Sequence, residues 1–251
     1  MNQEDFDLKL LAGEGIKIEG LGITYPLSLK EIMTVGNLAY NYYVFTLLVE
    51  KPTTDTKLTV FELFLAYCYH NEELLPPLNL SFREMAIRAL SLIFKEPVFY
   101  HPQGFFYLGE LIQKDGIFFG RILTENQFDL IRKIIRKQNY FKEEKNEDIK
   151  YANEKARQIQ EKINAMKEKI RQQNKDEGLK LNDIISIVAS YSPNINMFNV
   201  WDLTIFQLYE LYIRLMMKDT YESQFAMLLQ GADPKELKLE HWARKTNLES
   251  Q

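Results

Sequence analysis

Four copies of one short pattern constrain the fold of this chain more than any other feature. Each copy has a serine or threonine followed three residues later by glutamate or glutamine, which is the capping box that begins an α-helix. The four pairs are Ser28 with Glu31, Thr59 with Glu62, Ser81 with Glu84 and Thr124 with Gln127. They predict helices over residues 29–49, 59–69, 83–94 and 127–138. The chain is therefore expected to be mainly α.

Two stretches between these helices have the period of β-strands. Residues 16–27 alternate in polarity around Gly20 and Gly22, which predicts a two-stranded ribbon or an extended arm. Residues 98–108 and 117–122 alternate around turns rich in Pro, Gly and Asp, which predicts a small antiparallel meander. Residues 1–15 have no such pattern and are expected to be frayed.

Residues 142–178 differ from the rest of the chain. Nineteen of these 37 residues are charged, ten basic and nine acidic, which is typical of a solvated helix rather than of a packed one. Isoleucine and methionine recur along it at intervals of three and four, so a connector helix is favoured and coiled-coil pairing stays open. The predicted organisation is an N-terminal α-rich domain over 1–141, a charged connector helix over 142–178 and a C-terminal helical unit over 179–251.

The C-terminal unit divides into three predicted helices. The first covers residues 181–192 and ends before Pro193. Asn199 is expected to cap the second, which runs to about Lys218. The third covers residues 220–234 and closes near Gly231.

Composition places the chain among ordinary soluble proteins. It has 251 residues, 46% hydrophobic and 26% charged, with a net charge of −4. The chain lacks the overall excess of basic residues that proteins binding nucleic-acid phosphates usually have. The N-terminus lacks the pattern of a signal peptide, and no run of about 18 apolar residues could span a bilayer. We expect a cytoplasmic protein that does not contact a membrane.

The residues that usually perform catalysis are scattered. His70, His101 and His241 are widely spaced and form no metal-binding pattern, and the glycines form no phosphate-binding loop. Cys68, the single cysteine, lies among aromatic residues, where a small core side chain is favoured over a nucleophile. No catalytic residue, metal or cofactor is therefore predicted.

Four basic residues on the helix over 127–138 could form a nucleic-acid patch. They are Arg132, Lys133, Arg136 and Lys137, and two aromatic residues follow them. Basic and aromatic side chains together suit single-stranded nucleic acid. The same basic residues also solvate the outer face of an amphipathic helix, and this interpretation is preferred.

Residues 194–216 are the most apolar stretch of the chain. Apolar residues cover almost the whole circumference of the predicted helix, which favours a core helix of the C-terminal unit. Met216 and Met217 also allow an adaptable apolar face that binds a partner. The two interpretations are compatible if one face packs in the core and another binds the partner.

Two blocks of sequence resemble the phage tail assembly chaperones, which are tail-region proteins of phages of Gram-positive bacteria. The C-terminal block has the pattern N-x-x-N-x-W-D-L-T-x-x-Q-L-Y from Asn196 to Tyr209. The N-terminal block, residues 23–48, has a proline-led turn into an aromatic-rich helix. The resemblance covers about 70 residues and leaves the meander and the charged segment outside it.

The resemblance implies a non-enzymatic protein of the host cytoplasm. Such a protein would bind the tape measure protein while the tail tube assembles. The tail tube protein and a second copy of the same chain, in a homo-oligomer, are the further partners that the resemblance implies. The partner-binding residues implied are Trp201, Leu203, Thr204, Gln207, Leu208 and Tyr209 of the pattern, with Met216 and Met217 beyond it. The alternatives are a structural tail or baseplate adaptor of the mature virion, and an enzyme or nucleic-acid module.

Overall fold

A computed structural model describes residues 3–51, 57–70, 73–141, 179–231 and 239–244. Within them the chain forms eight α-helices and two antiparallel sheets, so the prediction of a mainly α fold with a small β meander is confirmed. The helices are α1 (Gln3–Ala12), α2 (Leu29–Val35), α3 (Asn37–Leu47), α4 (Val60–His70), α5 (Phe82–Phe94), α6 (Glu125–Gln138), α7 (Leu181–Tyr191) and α8 (Ile205–Leu229). The strands are β1 (Ile16–Ile18), β2 (Gly22–Thr24), β3 (Val98–His101), β4 (Phe105–Lys114) and β5 (Ile117–Ile122). The predicted charged helix over 142–178 lies outside the described residues.

The predicted capping boxes begin α2, α4, α5 and α6. At α2 and α5 the serine side chain accepts from the backbone N–H three residues on, and the glutamate accepts from the serine N–H. At α4 the Thr59 N–H donates to Glu62 over 2.7 Å. Each box satisfies N–H groups that have no partner within the helix, which is why the local sequence predicts these helix starts well.

Both predicted β elements are present. β1 and β2 form a two-stranded antiparallel ribbon in which Ile16 pairs with Thr24. β3, β4 and β5 form the meander in that order, with a bulge between Leu108 and Leu111 of β4. Gly109 adopts a φ of 67° at the bulge, a conformation that glycine adopts without steric strain.

The prediction that residues 1–15 are frayed is wrong. α1 covers most of this stretch, and the side chains of Phe6 and Leu10 are buried on one side of the helix. These two residues are four apart and therefore face the same way. An apolar face of only two residues is hard to recognise in an otherwise polar sequence, and its partner α8 is distant in the chain.

Residues 29–49 form two helices instead of the single one predicted. Gly36 lies between α2 and α3 with a φ of 94°, which ends the first helix. The chain turns there, and α3 then packs against α5. The apolar pattern continues across the turn because both helices contribute to the core, and this continuity made the break difficult to predict.

Two predictions about the C-terminal helices are also wrong. α8 is one continuous helix of 25 residues, without the break expected after Lys218. Thr204, and not Asn199, caps its start. Asn199 instead accepts from the Asn196 N–H and donates to the Asn194 carbonyl oxygen, which closes a loop before a short 3-10 turn. The polar residues after Lys218 reflect exposure to solvent, and α8 contains neither proline nor glycine.

One hydrophobic core contains residues from both ends of the chain. Its centre is the ring of Phe64, whose centroid lies 5.4 Å from that of Phe106 and 4.4 Å from that of Phe128. All three rings are fully buried, and burial of a ring of this size contributes about 2–3 kcal/mol. Val188 and Leu208 belong to the same core, so α7 and the first half of α8 pack directly on the N-terminal part of the chain.

Candidate partner-binding surface

The first half of α8 is fixed to the N-terminal part of the chain through its cap. Thr204 and Gln207 form another capping box, in which the Thr204 N–H donates to Gln207 Oε1 over 2.9 Å. Gln207 Nε2 also donates to the Leu11 carbonyl oxygen over 2.8 Å. Beside it, the Leu29 N–H donates to the Leu203 carbonyl oxygen over 2.8 Å. The start of α8 thus contacts both α1 and the start of α2.

The remaining residues of the W-D-L-T pattern also have structural contacts. Trp201 is half-buried, and its Nε1–H donates to the Met197 carbonyl oxygen over 2.9 Å. Leu203 packs against the core, and Leu208 is fully buried. These side chains, with Thr204 and Gln207, are used by the fold, while their predicted role in partner binding stays a prediction.

Tyr209 lies in an aromatic contact that joins α8 to the end of α6. The ring of Tyr140 lies 5.5 Å from that of Tyr209 and 5.1 Å from that of Phe206. The Tyr140 hydroxyl donates to Glu210. Burial is the main cause that raises the pKa of Tyr140 above its ordinary value, and the adjacent Glu210 carboxylate raises it further. A protonated hydroxyl is the form that this donated hydrogen bond requires.

The second half of α8 has a different environment. Met216 and Met227 are 42% and 51% exposed, and they lie eleven residues, or about three turns, apart on the same side of the helix. Phe225 and Leu229 are 45% and 75% exposed on another side. Exposed apolar residues concentrated on one helix are typical of a surface that binds another protein.

An open groove runs along the methionine side of this half. Its α8 wall contains residues spaced three or four apart, and two residues from the segment 239–244 complete it. The lining residues are Tyr212, Ile213, Met216, Met217, Thr220, Gln224, Glu240 and Arg244. We call this feature the distal groove. Methionine side chains are flexible and polarisable, so they adapt to differently shaped apolar partners.

The structure therefore brings together only part of the predicted set. Met216 and Met217 line the distal groove, whereas the six residues of the pattern from Trp201 to Tyr209 lie before it on the chain. Sequence reasoning missed Gln224 and Met227 because it placed a helix break after Lys218, and it did not select Ile213 although it placed this residue in the same helix as Met216. The spacing of three and four from Ile213 onward was the signal that would have found them.

A separate exposed apolar pair precedes α8. Phe198 is 93% exposed and Met197 is 50% exposed. The backbone around them is fixed, since the Phe198 N–H donates to Asn196 Oδ1 over 2.9 Å. Met197 and Phe198 occupy the two unspecified positions between Asn196 and Asn199 in the N-x-x-N-x-W-D-L-T pattern. The pattern therefore does not identify them as partner-binding residues.

The residues considered for catalysis do not form a site. Cys68 is fully buried, and burial raises the pKa of its thiol, which disfavours the nucleophilic thiolate. His70 is exposed at the end of α4, and His101 stacks on Phe105. His241 stacks on Trp242 and contacts the ring of Tyr221. Among the described residues, no cluster of three or more His, Cys, Asp or Glu side chains is arranged to hold a metal ion.

The basic residues of α6 are mostly engaged with the protein itself. Arg132 Nη2 donates to the Val49 carbonyl oxygen over 3.0 Å. Arg136 pairs with Glu50 over 3.1 Å, and Lys137 lies 3.7 Å from Asp7. Lys133 is exposed. These contacts are consistent with the preferred interpretation of α6 as an amphipathic helix packed on the core.

Comparison with known families gives a match over the region of the distal groove. Residues 171–247 match the family model described as the YomV second domain, which is a phage-associated protein family. Within the described residues, the matched segment contains α7, the 3-10 turn, α8 and residues 239–244. No curated protein and no solved structure matches the chain. None of the described helices is both long and apolar enough to cross a membrane.

Proposed function

We propose that this protein is a non-enzymatic phage tail assembly chaperone that binds the tape measure protein in the host cytoplasm. The observation that carries the proposal is the contrast between the two halves of α8. The first half is fixed in the core by its cap and by Tyr140, and the second half exposes methionines beside an open groove. The phage-associated family match over the same region supports a role in a phage.

The chemistry of the distal groove suits a helical partner. A groove along an exposed helix with apolar residues at intervals of three and four accepts the apolar face of an amphipathic helix. A long helical protein that has not yet assembled exposes such faces repeatedly. Covering them would keep the partner soluble until the tail tube forms around it.

The first experiment is co-expression of the protein with the phage tape measure protein, followed by affinity capture. The double variant Met216→Glu/Met227→Glu places charge on the groove side of α8 at positions that are already exposed, so the core is unaffected. We expect captured tape measure protein to fall about tenfold, the loss typical of a few central interface residues. Ile112→Glu is the matched control, because Ile112 is 61% exposed on β4.

A second experiment separates the chaperone from the adaptor. A chaperone should be abundant in lysates of infected cells and missing from purified virions, as mass spectrometry would measure. A stoichiometric amount in the virion would contradict the chaperone proposal and support a structural tail or baseplate adaptor. Equal capture by the double variant and by wild type would contradict the assignment of the distal groove.

A further inference from the structure

Residues 239–244 lie against the second half of α8 and are held there at two points. Arg214 Nη1 donates to the carbonyl oxygens of Trp242 and Arg244, over 3.3 Å and 2.6 Å. The ring of His241 lies 5.1 Å from that of Tyr221. Arg214 and Tyr221 are seven residues apart, or about two turns, so the segment contacts one side of α8 at both points.

The same segment forms one wall of the distal groove. Glu240 and Arg244 line it opposite the methionines of α8, and these two residues also form an ion pair. A partner helix that enters the groove must therefore contact this segment or move it. The segment therefore restricts the space that a partner helix can occupy beside α8.

The segment is held in a way that allows release. All of residues 239–244 are exposed, and even Trp242 remains 39% exposed. The bonds from Arg214 go to backbone carbonyl oxygens, which any peptide could provide in place of this segment. An attachment with little buried apolar area is readily displaced by a partner that buries more.

We propose that residues 239–244 are a displaceable strap, which narrows the distal groove from one side in the free protein and moves aside when a partner helix binds. The regulatory role of the strap rests on the proposed function, since the strap determines how readily the tape measure protein enters the distal groove. The apparent affinity for a partner is proportional to the fraction of molecules in which the strap has moved aside. The strap therefore limits binding to partners with an extensive apolar face.

The test uses the dye bis-ANS, which fluoresces on apolar surface and requires no phage partner. The full-length variant Arg214→Gln removes the guanidinium that holds the strap, and His241→Ala removes its ring from Tyr221. Lys218→Gln is the control, because it removes one positive charge from the same helix at an exposed residue whose ion pair is with Glu222. We expect each strap variant to bind the dye about fivefold more tightly than wild type and the control to match wild type.

His241→Ala keeps the test decisive if Arg214→Gln perturbs folding, because His241 lies in an exposed segment outside the core. Unchanged dye affinity in His241→Ala overturns the strap, as does an equal increase in Lys218→Gln. The strap and the proposed function can fail separately. Tighter dye binding without capture of the tape measure protein removes the function alone, and capture by the groove with unchanged dye affinity removes the strap alone.

Discussion

Gln207 Nε2 donates a hydrogen bond to the Leu11 carbonyl oxygen across a separation of 196 residues. The Oε1 atom of the same side chain accepts from the Thr204 N–H, as the second half of the capping box. One side chain thus begins α8 and attaches it to the end of α1. The glutamine of the W-D-L-T-x-x-Q-L-Y pattern has a structural role that accounts for both of its polar groups.

Substitutions at Gln207 should separate these two contributions. Gln207→Glu keeps an oxygen acceptor for Thr204 but loses the donor to Leu11, so we expect the free energy of unfolding to fall by about 1 kcal/mol. Gln207→Ala loses both bonds and should cost about 2 kcal/mol. Urea unfolding of the three proteins measures this. Wild-type stability in Gln207→Glu would mean that the bond to Leu11 contributes nothing.

Local patterns predicted the fold well where the stabilising contacts are local. The box of Ser28 with Glu31 and the turn at Asp115 and Gly116 each depend on residues a few positions apart, so the sequence contains the whole cause. α1 was missed because its stability comes from burial of Phe6 and Leu10 and from contact with α8. No residue close to 1–15 in the sequence indicates the contact between α1 and α8.

The candidate surface was predicted only in part for a related reason. The W-D-L-T pattern drew attention to residues that the fold itself requires, such as Leu208 in the core. Met216 and Met217 were found from their chemistry, since methionine suits adaptable contacts. The strap could not be predicted, because the bonds of Arg214 go to backbone carbonyl oxygens, and a carbonyl oxygen is present at every residue.

Gly36 gives a test of backbone strain without steric contact. A Cβ atom at this residue would meet no heavy atom within 4 Å, yet the φ of 94° is one that other residues rarely adopt. We expect Gly36→Ala to lower the free energy of unfolding by about 1–3 kcal/mol through conformation alone. Urea unfolding measures the change, and circular dichroism checks that helix content is retained. An unchanged midpoint would indicate that the turn between α2 and α3 relaxes freely.

Tyr40 should make the protein sensitive to alkali. Burial raises its pKa to about 12, although the hydrogen bond of its hydroxyl to Asn139 acts in the opposite direction. The unfolded chain ionises this group near pH 10, so deprotonation favours unfolding between about pH 10 and about pH 12. The stabilisation is fully present below pH 10 and falls by about 1.4 kcal/mol per pH unit above it.

Urea unfolding at pH 8, 9, 10 and 11 would measure this dependence. Tyr40→Phe removes the titrating group, so its stability should decline less steeply than that of wild type above pH 10. Some decline should remain, because burial also raises the pKa values of Tyr140 and Tyr209. Parallel curves for the two proteins above pH 10 would show that Tyr40 ionises equally in both states.

The contact of Tyr140 with Glu210 provides a measure of how strongly α8 is fixed to the N-terminal part of the chain. Tyr140→Phe retains the ring on Phe206 and Tyr209 but loses the hydroxyl donor, so we expect a loss of about 1–2 kcal/mol. Tyr140→Ala also loses the ring packing and should cost about 3 kcal/mol.

A double-mutant cycle with Glu210→Gln isolates the pair from the general effect of each substitution. The hydroxyl and the carboxylate are in direct contact, so a coupling free energy of about 1 kcal/mol is expected from urea unfolding of the four proteins. Coupling of that size would mean that the end of α6 holds the first half of α8 in place. The exposed second half would then extend from a fixed base, as a surface that receives a partner helix requires. A coupling near zero would leave the cap at Thr204 and the Gln207–Leu11 bond as the main attachments of α8.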